Sequence, residues 1–386
     1  MKFELSDRVK DLPPYLFAQM DQLKQAALQK GVDVIDLGIG DPQDPTPDFI
    51  VEALHKASKK THNHRYPSYV GMLSFREAVA KFYERKDVKL DPQKEVLALI
   101  GSKEGIANIP LAFVNPGDVV LVPSPGYPVF SSSTLFSGGR QVTMPLLEKN
   151  GFLPDLSKIS QDDAHRAKLM FLNYPNNPTS ATAPLEFYKE VIEFAKKYNI
   201  IVCHDAAYAE IYCDKRPVSF LEVPHAKEVG VEFGSLSKTY NMTGWRLGWV
   251  VGNENVVHGL GKIKTNIDSG AFQAIQEAGI AALLSDQKCV EDIRRVYKNK
   301  REMAVQLLEE AGFQVTPSEA TFYVWFKKPQ NFKTSGEFVT HVLDKTGVVI
   351  TPGNGFGEWG EGYLRISLTA PQERIKEAVT RLATLL

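Results

Sequence analysis

Short apolar runs alternate with longer polar-faced stretches through the middle of this chain. Val96 to Ile100, Val119 to Pro123, Lys168 to Asn173, Asn199 to Asp205 and Val229 to Gly234 each read as a strand. Between the third and fourth lies a helix, residues 184–198. Pro184 suits its first turn, lysines crowd its last turn, and Asn199 is a stop signal. Strand, helix and strand in that order make a βαβ unit, which predicts parallel strands and a right-handed crossover.

The last hundred residues have a different pattern. Residues 290–310 read as a long charged amphipathic helix, Thr321 to Phe326 alternates like a strand, and residues 338–346 read as a helix stopped by Gly347. Residues 348–351 and 363–368 follow as strands, and a helix closes the chain. This is the pattern of a separate α+β unit.

Composition narrows the class. A chain of 386 residues points to two domains or one large one. Hydrophobic residues at 43% and charged residues at 24% are ordinary for a globular protein, and a net charge of −1 gives no basic field for nucleic acid. Cys203, Cys213 and Cys289 lack metal-ligand spacing, so reduced thiols are expected. Met1 to Arg8 shows no apolar signal region and no apolar run is long enough to span a bilayer, which predicts a cytoplasmic protein. His62 and His64 have no third ligand spaced with them and are expected at the surface, so no metal is predicted. His204 is expected to support Asp205 or simply to pack.

The richest chemistry lies in Ser235-Leu-Ser-Lys-Thr-Tyr-Asn-Met-Thr-Gly-Trp-Arg-Leu-Gly248, directly after a predicted strand. A lysine there, Lys238, can form a Schiff base with an aldehyde if burial or nearby cations lower its pKa. Ser235, Ser237 and Arg246 offer a phosphate site. Aldehyde plus phosphate describes pyridoxal phosphate. Asp205 ends a strand where a carboxylate would pair with a protonated pyridine nitrogen. The Gly101-Ser102-Lys103 turn opens a helix, and a helix start favours a phosphate. Each residue also has a plainer reading: Lys238 as a solvated charge, Asp205 as a helix cap, Arg246 as an ion-pair partner, Asn177 as a turn residue before Pro178 and Arg365 as a strand arginine with its head in solvent.

Seven motifs occur in one order: Gly38-Ile-Gly-Asp-Pro42, Tyr66-Pro-Ser-Tyr-Val-Gly71, Pro125-Gly-Tyr-Pro128, Asn176-Asn-Pro-Thr179, Asp205-Ala-Ala-Tyr208, the Lys238 segment and Tyr363-Leu-Arg-Ile-Ser367. With them the chain resembles the class I/II aminotransferases of the pyridoxal-phosphate fold type I over nearly its whole length. The resemblance implies an α/β fold with a mostly parallel seven-stranded sheet sandwiched by helices. It implies a large cofactor domain, residues 46–289, and a smaller α+β domain formed by residues 1–45 and 290–386.

It also implies roles. Lys238 is the catalytic lysine, Asp205 the partner of the ring nitrogen, and Tyr208 and Asn177 the partners of the cofactor's 3′-oxygen. Arg246, Ser235, Ser237, Ser102 and Lys103 take the phosphate, as does Tyr66 from a neighbouring subunit of a homodimer. Tyr127 stacks on the ring. Arg365 takes the substrate α-carboxylate by its fixed fork, beside Gly40. Ser180 stands where the family usually has glycine, so strain is expected if that turn needs positive φ.

The implied reaction is ping-pong transfer of an α-amino group to a 2-oxo acid. Residues 12–17, 36–41, 101–105 and 264–270 most resemble the bacterial LL-diaminopimelate aminotransferases. That implies LL-diaminopimelate and 2-oxoglutarate as substrates, with Tyr15, Lys103, Tyr127 and Asn177 also near the substrate. Alternatives are an aspartate, alanine or aromatic aminotransferase, a C–S lyase or synthase on the same fold, and a non-catalytic regulator. A dehydrogenase is disfavoured because no Gly-x-Gly-x-x-Gly follows a strand.

Overall fold

The apolar runs do become strands. The computed structural model describes residues 3–13 and 16–385. Among these, the strands are β1 (Ile35–Asp36), β2 (Val96–Leu99), β3 (Val119–Ser124), β4 (Arg140–Pro145), β5 (Ala167–Asn173), β6 (Ile201–Asp205), β7 (Gly230–Ser235), β8 (Gly248–Gly252), β9 (Tyr323–Lys327), β10 (Val348–Val349), β11 (Thr351–Pro352) and β12 (Tyr363–Ser367). Seven of them form one sheet in the order β2-β8-β7-β6-β5-β3-β4. Neighbours from β7 to β4 are parallel, whereas β8 is antiparallel to both β7 and β2.

Helices cover both faces, and this is why the central strands are apolar throughout. In β5, Leu169 and Phe171 join one core while Met170 and Leu172 join the other. In β3, Val120 and Val122 face the first of these cores, and Val119 and Leu121 the second. A side chain of this size contributes roughly 2 kcal/mol when fully buried. The crossover helix Leu185–Tyr198 ends where expected, on Asn199 at φ 56°.

The second unit has its own core. Its three-stranded antiparallel sheet has the order β11-β12-β9, and β1 pairs in parallel with β10 through Ile35↔Val348 and Asp36↔Val349. Ile35 and Leu37 therefore pack with Val324, Ile350, Ile366 and Val379 from the far end of the chain. The helices Lys288–Glu310, Ser335–Thr346 and Gln372–Ala383 belong to this unit.

Two strands of the large sheet escape the pattern reading. β4 is an edge strand in which only Met144 is fully buried, and β8 is five residues bounded by glycines. Residues 348–351 form two short strands that pair with different partners, separated at Ile350.

Register creates the site. Asn173 lies opposite Asp205, while Ser235 and Leu99 both lie opposite Gly248. The carboxyl ends of β2, β5, β6 and β7 thus meet at one edge of the sheet, where open α/β folds bind ligands.

Candidate active site

A cavity of about 370 Å³ opens at that edge. β7 delivers Ser235, whose hydroxyl accepts from Ser237 N at 3.1 Å and caps the short helix Leu236–Thr239. Lys238 sits on this helix and lines the cavity. Its ammonium donates to the Gly40 carbonyl at 2.6 Å, bridging to the N-terminal segment. Burial lowers its pKa to about 8, with Arg246 and Arg365 pushing the same way and Asp41 opposing. A share of this amine is therefore uncharged near neutral pH.

Arg246 adopts a left-handed backbone, φ 55°, and donates to Thr243 O at 2.8 Å. It packs against the start of helix Ser102–Phe113. Gly101, at φ 95°, caps that helix; a Cβ there would lie 2.4 Å from Arg246 Nη2. Only glycine lets the guanidinium sit so close to a helix N-terminus. Ser102, Lys103, Ser237 and Arg246 all line the cavity.

Asp205 ends β6 as a buried carboxylate. It accepts from Ala207 N at 3.2 Å, and burial raises its pKa to about 6. Asn173 locks the neighbouring strand end, donating to Asp205 O at 2.9 Å and accepting from Asn177 N at 2.8 Å. His204 points away from the cavity, between Tyr188 Oη and Glu232 Oε2, each at 3.0 Å.

Arg365 reaches in from β12 and is fully buried. It donates to Asn177 Oδ1 at 2.7 Å and to Gly38 O at 2.5 Å. Its guanidinium lies 4.1 Å from the centre of the Tyr323 ring. Tyr323 belongs to the run that alternates like a strand, and its hydroxyl meets that of Tyr208 at 2.9 Å. A Cβ on Gly40 would lie 2.0 Å from that same Tyr323 oxygen, so glycine is required there. Burial drives the Tyr208 hydroxyl well above its ordinary pKa, which keeps it a proton donor. Tyr127, Asn177, Tyr208 and Gly40 all line the cavity, and Ile39, Asn173, Ala207, Thr243 and Tyr323 join them without having been singled out in the sequence.

One expected residue lies elsewhere. Tyr66 is 86% exposed and does not line this cavity. Tyr15 lies outside the described residues. Ser180 does adopt positive φ, at 63°, so the anticipated strain is present. His62 and His64 are both exposed.

The residues fit pyridoxal 5′-phosphate. They supply an amine of lowered pKa for its aldehyde and a buried carboxylate without an ion pair among the described residues for its ring nitrogen. An arginine packed on a glycine-led helix start can hold its phosphate.

The family model for class I and II aminotransferases matches residues 32–382. The chain is 58% identical to an LL-diaminopimelate aminotransferase of Maridesulfovibrio salexigens, covering 100% of both chains. It is 57% identical to one of Aquifex aeolicus, covering 99% of each. Among solved structures, substrate-bound BacF of Bacillus subtilis superposes with a TM-score of 0.96 at 41% identity, covering 100% of this chain and 98% of that one. A Thermus thermophilus aspartate aminotransferase mutant gives 0.93 at 26% identity, covering 100% of both. The chain belongs to the class I and II aminotransferase family, and its cofactor is pyridoxal 5′-phosphate.

Proposed function

We propose that this enzyme exchanges the amino group between LL-diaminopimelate and 2-oxoglutarate, giving tetrahydrodipicolinate and glutamate. The observation that carries this donor is full-length identity of 58% to a relative of that name. Pyridoxal phosphate, when bound, supplies an electron sink for the carbanion at the substrate Cα. The rest is the work of this chain. Arg365 binds the α-carboxylate with a fork already oriented by Asn177 and Gly38, and Gly40 leaves room beside it. Lys238 takes the Cα proton as a neutral amine and returns it on the other side of the exchange. Asp205 holds a proton on the ring nitrogen, and Tyr208 and Asn177 hydrogen-bond the 3′-oxygen. Arg246, Ser235, Ser237, Ser102 and Lys103 hold the phosphate, and Tyr127 packs on the ring. Lys103 and Tyr15 are assigned to the distal end of the substrate.

Steady-state kcat/KM for LL-diaminopimelate, aspartate, alanine and phenylalanine, with 2-oxoglutarate as acceptor, tests the donor. LL-diaminopimelate should lead each of the others by at least tenfold, about 1.4 kcal/mol of transition-state preference. A tenfold lead for another donor overturns this substrate and leaves the aminotransferase assignment standing.

The exposed Tyr66 supports a homodimer in which it serves the phosphate of the other subunit. Mixing Tyr66→Phe with Lys238→Ala chains should form hybrids with one unmutated composite site and recover activity that neither parent has. No recovery on mixing would count against sharing. Two main cores support a division at 45/46 and 289/290, although Tyr208 and Ile211 pack into the core of the smaller unit and Val290 into that of the larger. Three free cysteines support a cytoplasmic location, and no helix of the described residues is long and apolar enough to cross a membrane.

A further inference from the structure

Ser180 and Thr321 both hold positive φ, each at 63°, and both are fully buried. Neither is glycine, and a β-branched residue in this region is a genuine outlier. Such strain persists only where the surroundings over-determine it. Here they do. Arg301 donates to the carbonyls of Ala320 and Thr321, and Thr321 N donates to Ile211 O at 2.7 Å.

The two hydroxyls meet at 2.7 Å. Ser180 Oγ also donates to Tyr323 O at 2.9 Å, and Tyr323 N donates to Thr321 Oγ1 at 3.0 Å. Proton accounting closes the ring. Ser180 spends its single proton on Tyr323 O, so Thr321 must donate to Ser180 Oγ while accepting from Tyr323 N. Glycine would relieve the strain at 180, but it could not supply this hydroxyl.

The ring joins two segments that both orient Arg365. One is the turn that presents Asn177 Oδ1 to its Nη1; the other is the start of β9, which places the Tyr323 ring against its guanidinium. We propose that the Ser180–Thr321 hydroxyl pair is a positioning clamp that sets the Arg365 fork, and through it the affinity for substrate α-carboxylates. This rests on the reading that Arg365 receives that carboxylate. Ser180 touches neither substrate nor cofactor and acts through Asn177 and Tyr323.

The test compares Ser180→Gly and Ser180→Ala as cofactor-loaded proteins. Calorimetry would give the Kd for 2-oxoglutarate, and thermal unfolding would give stability. Both variants should bind about tenfold more weakly, with KM for glutamate rising by a similar factor and kcat little changed. The glycine variant should unfold within a few degrees of wild type, whereas alanine keeps the strain and should unfold earlier. Wild-type affinity in the glycine variant overturns the clamp, because the serine would then be only a strained turn residue. Weak binding confined to an alanine variant of low stability also overturns it. A wild type that fails to bind 2-oxoglutarate overturns the functional reading and the clamp together, before any variant is compared.

Discussion

Lys238→Ala should abolish amino-group transfer, with a loss of about ten-thousand-fold in kcat, while the protein still folds and binds cofactor noncovalently. The size follows from the two duties placed on one amine, holding the cofactor and moving the Cα proton; proton transfer alone is worth up to about ten-thousand-fold. Burial has prepared that amine, lowering its pKa to about 8. The side chain contributes one hydrogen bond to the rest of the protein, to Gly40 O, so its removal should leave stability close to wild type. Borohydride reduction of the wild-type holoenzyme should fix the cofactor to the peptide containing Lys238. Label on another lysine would sink the assignment.

Asp205→Asn should lower kcat by roughly a thousand-fold, about 4 kcal/mol, the scale of breaking a buried charge pair. The same change should stabilise the cofactor-free protein. Burial raises the Asp205 pKa from an ordinary carboxylate value to about 6. The folded state therefore holds a proton that the unfolded chain has released, and stability falls as pH rises from about 4 to about 6. Above pH 6 the full penalty applies, about 3 kcal/mol for roughly two pKa units. Asparagine does not titrate. Urea unfolding of the two apo proteins should show the variant ahead at pH 7.5 and level with wild type near pH 4. Equal stability at both pH values, with activity retained, would reduce Asp205 to a cap for the turn at Ala207.

What the sequence revealed depended on how local each signal was. β5 and β6 were legible because burial on both faces demands an unbroken apolar run, and the helix between them carried its own punctuation at Pro184 and Asn199. Lys238 and Asp205 each had an ordinary reading, as a solvated charge and a helix cap, and stood out only because they fell within a set of motifs in one order. Direction was not legible: Gly248 to Gly252 is apolar whichever way it runs, and only its pairing with β7 and β2 makes it antiparallel. Tyr323 stayed hidden because alternation reports a strand and says nothing of what its inward face meets. The bond between Arg365 and Asn177 joins residues 188 positions apart, which no local pattern encodes. Ser180 lay between these cases. Departure from glycine flagged the turn, but its partner Thr321 became visible only in three dimensions.

The parallel pairing of β1 with β10 has a consequence for how the enzyme is made. Synthesis runs from N-terminus to C-terminus, so Asp36 leaves the ribosome long before Val349, the residue it must pair with. Every residue proposed to hold the phosphate and the ring from within one chain lies between Ser102 and Arg246, and so is made before Arg365. Arg365 arrives last. The residues that face the cofactor are thus made before the arginine that faces the substrate, and the pairing that ties Asp36 to Val349 can form only near the end of that sequence of events.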